Sequence, residues 1–105
     1  MSLREREYRS RDTIYRDMLK VVKSYEPNGA IKIKILYGSR LSADQLKKHL
    51  DFLLKAGLLT VDESKSRVNV SGRRYAARYH ITEKGNKYII LYDEMHQHRQ
   101  AGIHI

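Results

Sequence analysis

The chain has 105 residues, of which 41% are hydrophobic, with 8 Tyr, 1 Phe and no Trp, enough for one compact core of aliphatics and tyrosine and too short for two. Its 21 Lys and Arg against 12 Asp and Glu give a formal charge of +9, a field that concentrates polyanions at the surface without specifying a fold. The absence of Cys excludes disulfides, thiolate zinc sites and cysteine nucleophiles; no stretch approaches the roughly 20 apolar residues of a bilayer span, and the charged start Met1-Ser2-Leu3-Arg4-Glu5-Arg6 is unlike a signal peptide, so a cytoplasmic protein is expected.

Arg4 to Arg11 mixes both signs of charge and reads as a frayed helix start or a flexible arm. Ile14, Met18, Val21, Val22 and Tyr25 then recur at helical spacing, with Arg16, Lys20 and Lys23 largely off that face. These positions predict an amphipathic helix of about four turns. Glu26-Pro27-Asn28-Gly29 is a strong turn signal. The following segment, Ile31-Lys32-Ile33-Lys34-Ile35-Leu36-Tyr37, alternates like a strand, yet Ile31 and Ile35 also share a helical face, so periodicity leaves both open. Gly38 and Ser39 end it either way.

Ser42-Ala43-Asp44-Gln45 fits a capping box, with Asp44 at the positive end of the helix dipole. Leu46, Leu50, Leu53 and Leu54 form one stripe behind it, and Gly57 stops the helix. Leu58-Leu59-Thr60-Val61 predicts a strand, and the alternation of Tyr75, Ala77, Tyr79 and Ile81 with Ala76, Arg78 and His80 predicts a second, the two joined as a hairpin through a Ser71-Gly72 turn. Thr82-Glu83-Lys84 starts a last helix, carried by Tyr88, Leu91, Tyr92 and Met95 and ended by Gly102.

The short element, tight turn and capped helix suit a helix-turn-helix, whose second helix enters the major groove N-terminus first. With the leucines inward, Asp44, Gln45, Lys48, Phe52 and Lys55 point outward. Gln can pair with adenine and Lys with guanine or phosphate, so Arg40, Ser42, Ala43, Gln45, Lys47 and Lys48 are the candidate recognition residues. A solvated polar face opposite a leucine stripe is the common alternative. The hairpin weighs against it: Lys65, Arg67, Arg73, Arg74 and Arg78 lie between Ser64 and Tyr79 with no acidic residue. Such one-sided charge suits a wing resting on phosphates, with Lys65, Arg67, Arg73 and Arg74 the candidate contacts. His96 and His98 stand two apart, on different faces of a helix, so no metal site is expected; His49 reads as a packing residue. No phosphate loop, nucleophile elbow or paired carboxylates occur, and neither an enzyme nor a cofactor is expected.

The chain resembles the archaeal ArnR-like winged helix-turn-helix family, which includes small dimeric DNA-binding proteins of the Sulfolobales. The likeness runs from about Arg11 to Tyr92. It rests on Ile14 and Met18-Leu19, on Ile31, Ile33 and Ile35-Leu36-Tyr37, on Leu41-Ser42, Leu46, Leu50, Leu53-Leu54 and Gly57-Leu58-Leu59, and on Tyr79, Ile81-Thr82 and Lys84-Gly85. The resemblance implies that Ile31 to Tyr37 is helical and that the C-terminal helix dimerises, with Tyr88, Leu91, Tyr92 and Met95 as the candidate interface. His49 departs from it, standing where such proteins often have Tyr. The last helix, roughly Glu83 to Gln100 and about 25 Å by helical rise, is short beside the coiled coil of some relatives.

The expected fold is therefore mainly α with a β-hairpin (α+β): a flexible N-terminal arm over 1–10, a winged helix-turn-helix domain over 11–82 and a C-terminal dimerisation helix over 83–105. The expected function is double-stranded DNA binding by a homodimeric, nucleoid-associated transcription regulator. The rivals are a non-specific architectural protein, a winged-helix protein-interaction module, and an RNA binder, which would need exposed aromatics for base stacking.

Overall fold

The computed structural model describes residues 9–62 and 77–104. Among these residues, four helices and one antiparallel strand pair follow in the order α1 (Arg11–Ser24), α2 (Lys32–Ser39), α3 (Ala43–Lys55), β1 (Leu59–Asp62), β2 (Arg78–Ile81) and α4 (Glu83–His104). The fold expected from the sequence is the fold observed.

Helix α1 starts at Ser10, whose side chain accepts a hydrogen bond from the Thr13 amide. It buries Ile14, Tyr15, Met18, Leu19 and Val22, so the inward face is wider than the predicted stripe and turned toward Tyr15 and Leu19. Tyr25 is 39% exposed at the C-cap. Ser10 and Arg9 fall in the expected arm, yet Ser10 caps α1 and Arg9 bonds to Asp17 and Ser39. Residues 1–8 lie outside the described residues.

The ambiguous Ile-Lys repeat is helical from Lys32. The residue just before it nevertheless behaves as a strand: Ala30 exchanges both backbone hydrogen bonds with Tyr79, at 2.9 and 2.8 Å. Helix α2 ends at Ser39, as the Gly38-Ser39 pair implied, and the chain turns at Arg40, in a left-handed conformation at φ 56°. What Gly38 provides is closeness, because a Cβ there would stand 2.9 Å from Val21 Cγ2 and push α2 off α1.

The α3 capping box is complete: Ser42 Oγ accepts from the Gln45 amide at 3.2 Å, and Gln45 Oε1 accepts from the Ser42 amide at 3.1 Å. Leu46, Leu50 and Leu53 are buried, Leu54 half-buried, and the helix ends before Gly57 at φ 79°. Strands β1 and β2 pair in the register Leu59↔Ile81, Thr60↔His80, Val61↔Tyr79 and Asp62↔Arg78. Leu59 and Tyr79 are buried because the sheet has one core face. Thr82 joins the sheet to the last helix: its Oγ1 accepts from the Gly85 amide and donates to the Gly57 carbonyl at 2.7 Å.

Helix α4 passes through Gly102, the expected stop, to His104; a glycine lowers helix propensity by about 1 kcal/mol without forbidding it. The full helix is about 33 Å long by helical rise. All the core layers meet in one cluster of Met18, Leu19, Val22, Ile35, Leu50, Leu53, Leu59, Tyr79 and Ile89, among others.

Gly85 sets how closely α4 approaches the hairpin. A Cβ there would run into the Leu58 carbonyl oxygen and stand 2.7 Å from Ile81 Cγ1. Because the first neighbour is backbone, Gly85→Ala should lower stability by about 2 kcal/mol, as overpacked sites do, measurable as a lower urea midpoint with an unchanged slope.

Candidate nucleic-acid interface

The turn between α2 and α3 consists of Arg40, Leu41 and Ser42. Leu41 points inward, 9% exposed, and its amide donates to Leu36 O at 3.2 Å. This anchor fixes where α3 begins. Burial of Leu46, Leu50 and Leu53 then fixes its rotation, leaving Ala43, Asp44, Gln45, Lys47, Lys48, Asp51 and Lys55 exposed. Arg40 and Ser42 are exposed beside them. The six candidate recognition residues are thus brought together around the first turns of one helix.

Two details modify the chemistry expected of that face. Gln45 Oε1 is engaged by the Ser42 amide, so only its amide nitrogen is left to donate outward. Arg40, Lys47 and Lys48 have no ion-pair partner among the described residues, whereas Lys55 is paired with Asp51 at 3.1 Å. The available hydrogen-bonding power of the face is therefore mainly cationic.

Phe52, expected to point outward, is 47% exposed but stacks on Tyr15 of α1 with ring centroids 4.8 Å apart. His49 packs edge-on against the same tyrosine at 5.4 Å and is 5% exposed. These three rings clamp α3 to α1. A helical wheel of α3 alone could not reveal the clamp, because Tyr15 lies in another element. His49 Nδ1 is buried without a hydrogen-bond partner among the described residues. Burial, reinforced by the positive charges of Lys48 and Arg11, holds the imidazole below its ordinary pKa.

The wing candidates Lys65, Arg67, Arg73 and Arg74 lie outside the described residues. The base of the hairpin is described, and it is held from two sides. Besides the Ala30–Tyr79 pairing, the Glu26 carboxylate takes the Ile81 amide at 2.8 Å and meets His80 Nδ1 at 2.9 Å. The predicted turn before α2 therefore doubles as a bracket for β2, which sequence separation hid.

On α4, Tyr88 and Tyr92 turn toward α1. The Tyr88 hydroxyl donates to Asp12 O at 3.1 Å, and the Tyr92 hydroxyl meets Thr13 Oγ1 at 2.7 Å. Burial, then the charge of Asp12, pushes the Tyr88 phenol up to about 12, so it remains a neutral donor. Leu91 and Met95 are each 60% exposed, with Ile90 at 54%. Tyr88, Leu91, Tyr92 and Met95 line an open groove of about 370 Å³ with Ser10, Asp12 and His96. Among the described residues no helix is long and apolar enough to cross a membrane.

A family model for winged helix-turn-helix proteins matches residues 8–100. No curated protein matches the chain by sequence. Among solved structures, Sso10a-2, a DNA-binding protein from Sulfolobus solfataricus, is similar at 22% identity and a TM-score of 0.64, over 89% of this chain and 84% of that one. A MarR-family transcription regulator is similar at 22% identity and a TM-score of 0.59, over 88% of this chain and 57% of that one. A MepR variant of S. aureus bound to an oligodeoxyribonucleotide is similar at 16% identity and a TM-score of 0.54, over 95% and 69%. At these identities the likeness is one of fold.

The buried imidazole makes stability depend on pH. Its folded pKa lies below the ordinary value of 6.5, so the unfolded chain binds the extra proton first as pH falls. Stability should be intact above about pH 6.5 and decline from there through the depressed folded value. Melting His49→Phe beside the parent at about pH 7.5 and about pH 5.5 isolates this residue from the other histidines and the carboxylates; the parent should lose more thermal midpoint on acidification than the variant.

Proposed function

Because the chain belongs to the winged helix-turn-helix family, we propose that it binds double-stranded DNA as a homodimeric transcription regulator of the archaeal ArnR-like kind. The observation that carries the proposal is the exposed start of α3, where Arg40, Ser42, Ala43, Gln45, Lys47 and Lys48 are all exposed around the first turns, a polar surface backed by buried leucines. In duplex recognition such a face enters the major groove. Lys47, Lys48 and Arg40 reach phosphates or guanine, and Gln45 offers its amide to a base. The wing residues Lys65, Arg67, Arg73 and Arg74 hold the adjoining backbone. The net charge of +9 supplies long-range attraction for a polyanion. The protein works by binding and needs no cofactor or metal. It acts in the cytoplasm, on the nucleoid.

Dimerisation runs through α4. Leu91 and Met95, left open beside the tyrosines that pack on α1, give a second copy an apolar strip along the helix. Two recognition helices related by a two-fold axis would read a palindrome.

A second reading has one observation in its favour. Since the capping box occupies Gln45 Oε1, the face is richer in phosphate-binding cations than in base readers. This favours a non-specific architectural role, and selection of bound duplexes from a random pool separates the two: a regulator enriches a palindrome, an architectural protein enriches nothing.

Duplex affinity should fall with salt at about −0.9 in log K per log salt for each phosphate neutralised. Lys47→Ala with Lys48→Ala should reduce that slope by up to about 2, as measured by fluorescence anisotropy; an affinity indifferent to salt contradicts the proposal. Gln45→Glu preserves the capping box, which accepts either residue, while deleting the amide donor. It should change the preferred sequence with little loss of stability. Leu91→Glu with Met95→Glu should convert the dimer to a folded monomer in sedimentation, with its circular dichroism intact.

A further inference from the structure

Helix α2 has no basic residue in its last turn, so no side chain of its own answers the negative end of its dipole, and beyond Leu36 and Tyr37, whose carbonyls take the Leu41 and Arg40 amides, its last carbonyls need partners from elsewhere. The answer comes from before α1. One Arg9 guanidinium nitrogen donates to Ser39 O at 2.7 Å and to Arg40 O at 3.2 Å, while the other donates to Asp17 Oδ2 at 2.7 Å. Asp17 is held in turn by Arg16 at 3.1 Å, and Arg16 reaches Asp93 of α4 at 3.3 Å. The Arg16 guanidinium also lies over the Tyr92 ring, 5.3 Å from its centroid. A continuous chain of charge-assisted bonds thus runs from α4 across α1 to the turn that launches α3.

We infer that Arg9 is a positioning residue for the proposed recognition helix: it holds the backbone of Ser39 and Arg40, and through Asp17, Arg16 and Asp93 couples that turn to α4. The inference rests on the DNA-binding reading above. Arg9 acts through its grip on two carbonyls, from which Arg40 and Ser42 project toward the duplex. Its planar fork is essential, because one guanidinium reaches three acceptors that an ammonium on a flexible stem cannot hold together.

The test uses Arg9→Lys, Arg9→Gln and Asp17→Asn in the full chain, with two readouts. In the free protein, the Arg40 and Leu41 amides, bonded to Tyr37 O and Leu36 O, should exchange with solvent about tenfold faster while those of Met18 and Val22 hold, as local opening requires. On random duplex DNA at fixed salt, affinity should fall about fivefold with an unchanged salt slope, since loss of a direct phosphate contact would lower the slope by about 0.9. A reduced slope overturns the inference and makes Arg9 a phosphate ligand. Arg9→Lys behaving as the parent overturns it too, because charge alone would then suffice. Should Arg9→Gln not fold, Arg9→Lys and Asp17→Asn still decide. If the parent binds no duplex while the turn amides respond, the DNA reading fails and the clamp on the turn stands.

Discussion

Burial of Leu46, Leu50 and Leu53 is the constraint from which the candidate interface follows. Each such leucine contributes about 1.5–3 kcal/mol when taken out of water, so rotating α3 to present another face would expose several at once. The face left for solvent is then the only one available to a ligand, and its composition is whatever lies opposite the leucines. The capping box fixes the first residue of the helix and Gly57 the last, so neither register nor rotation is free.

Helix α1 is the beam on which this arrangement rests. It receives the rings of His49 and Phe52 through Tyr15, admits α2 closely at Val21 because Gly38 has no side chain, and bonds to α4 through Thr13, Arg16 and the Asp12 carbonyl. Charge is distributed along the same lines. Where α1 meets α4 and the start of the turn, the arginines are matched by Asp17 and Asp93. Around the start of α3, Arg40, Lys47 and Lys48 have no carboxylate within ion-pair distance among the described residues. Matched charges serve cohesion, and unmatched ones remain available to an external anion.

Among the described residues the hairpin has two strands of four residues, and a two-stranded ribbon alone is marginal in water. Its stability comes from neighbours. Ala30 extends it by one backbone pair, the Glu26 carboxylate occupies the Ile81 amide, and Thr82 fastens its exit to Gly57 and Leu58. The base of the hairpin is consequently tied to the end of α3, through the bonds of Thr82 to Gly57 and of Lys84 to Ala56.

Local chemistry was legible in the residues themselves. The capped start of α3, its leucine face, the turn at Glu26 to Gly29 and the start of α4 at Thr82 each depend on neighbours within about one helical turn, a range that periodicity and capping rules describe. Contacts across the chain were not. The Ile-Lys repeat was compatible with strand and helix until packing on α1 selected the helix and left only Ala30 to pair with Tyr79. Gly38 stands in the last turn of α2, as the sequence implied, but that it is also a point of close approach to Val21 was hidden, because a glycine in sequence does not reveal which element presses against it. Phe52, His49, Glu26 and Arg9 each meet a residue in another element, between 8 and 55 positions away. Amphipathic pattern determined which elements form and which faces turn inward; only the assembled core decided what those faces meet, since the free energy of a long-range contact depends on chain closure that no local pattern encodes.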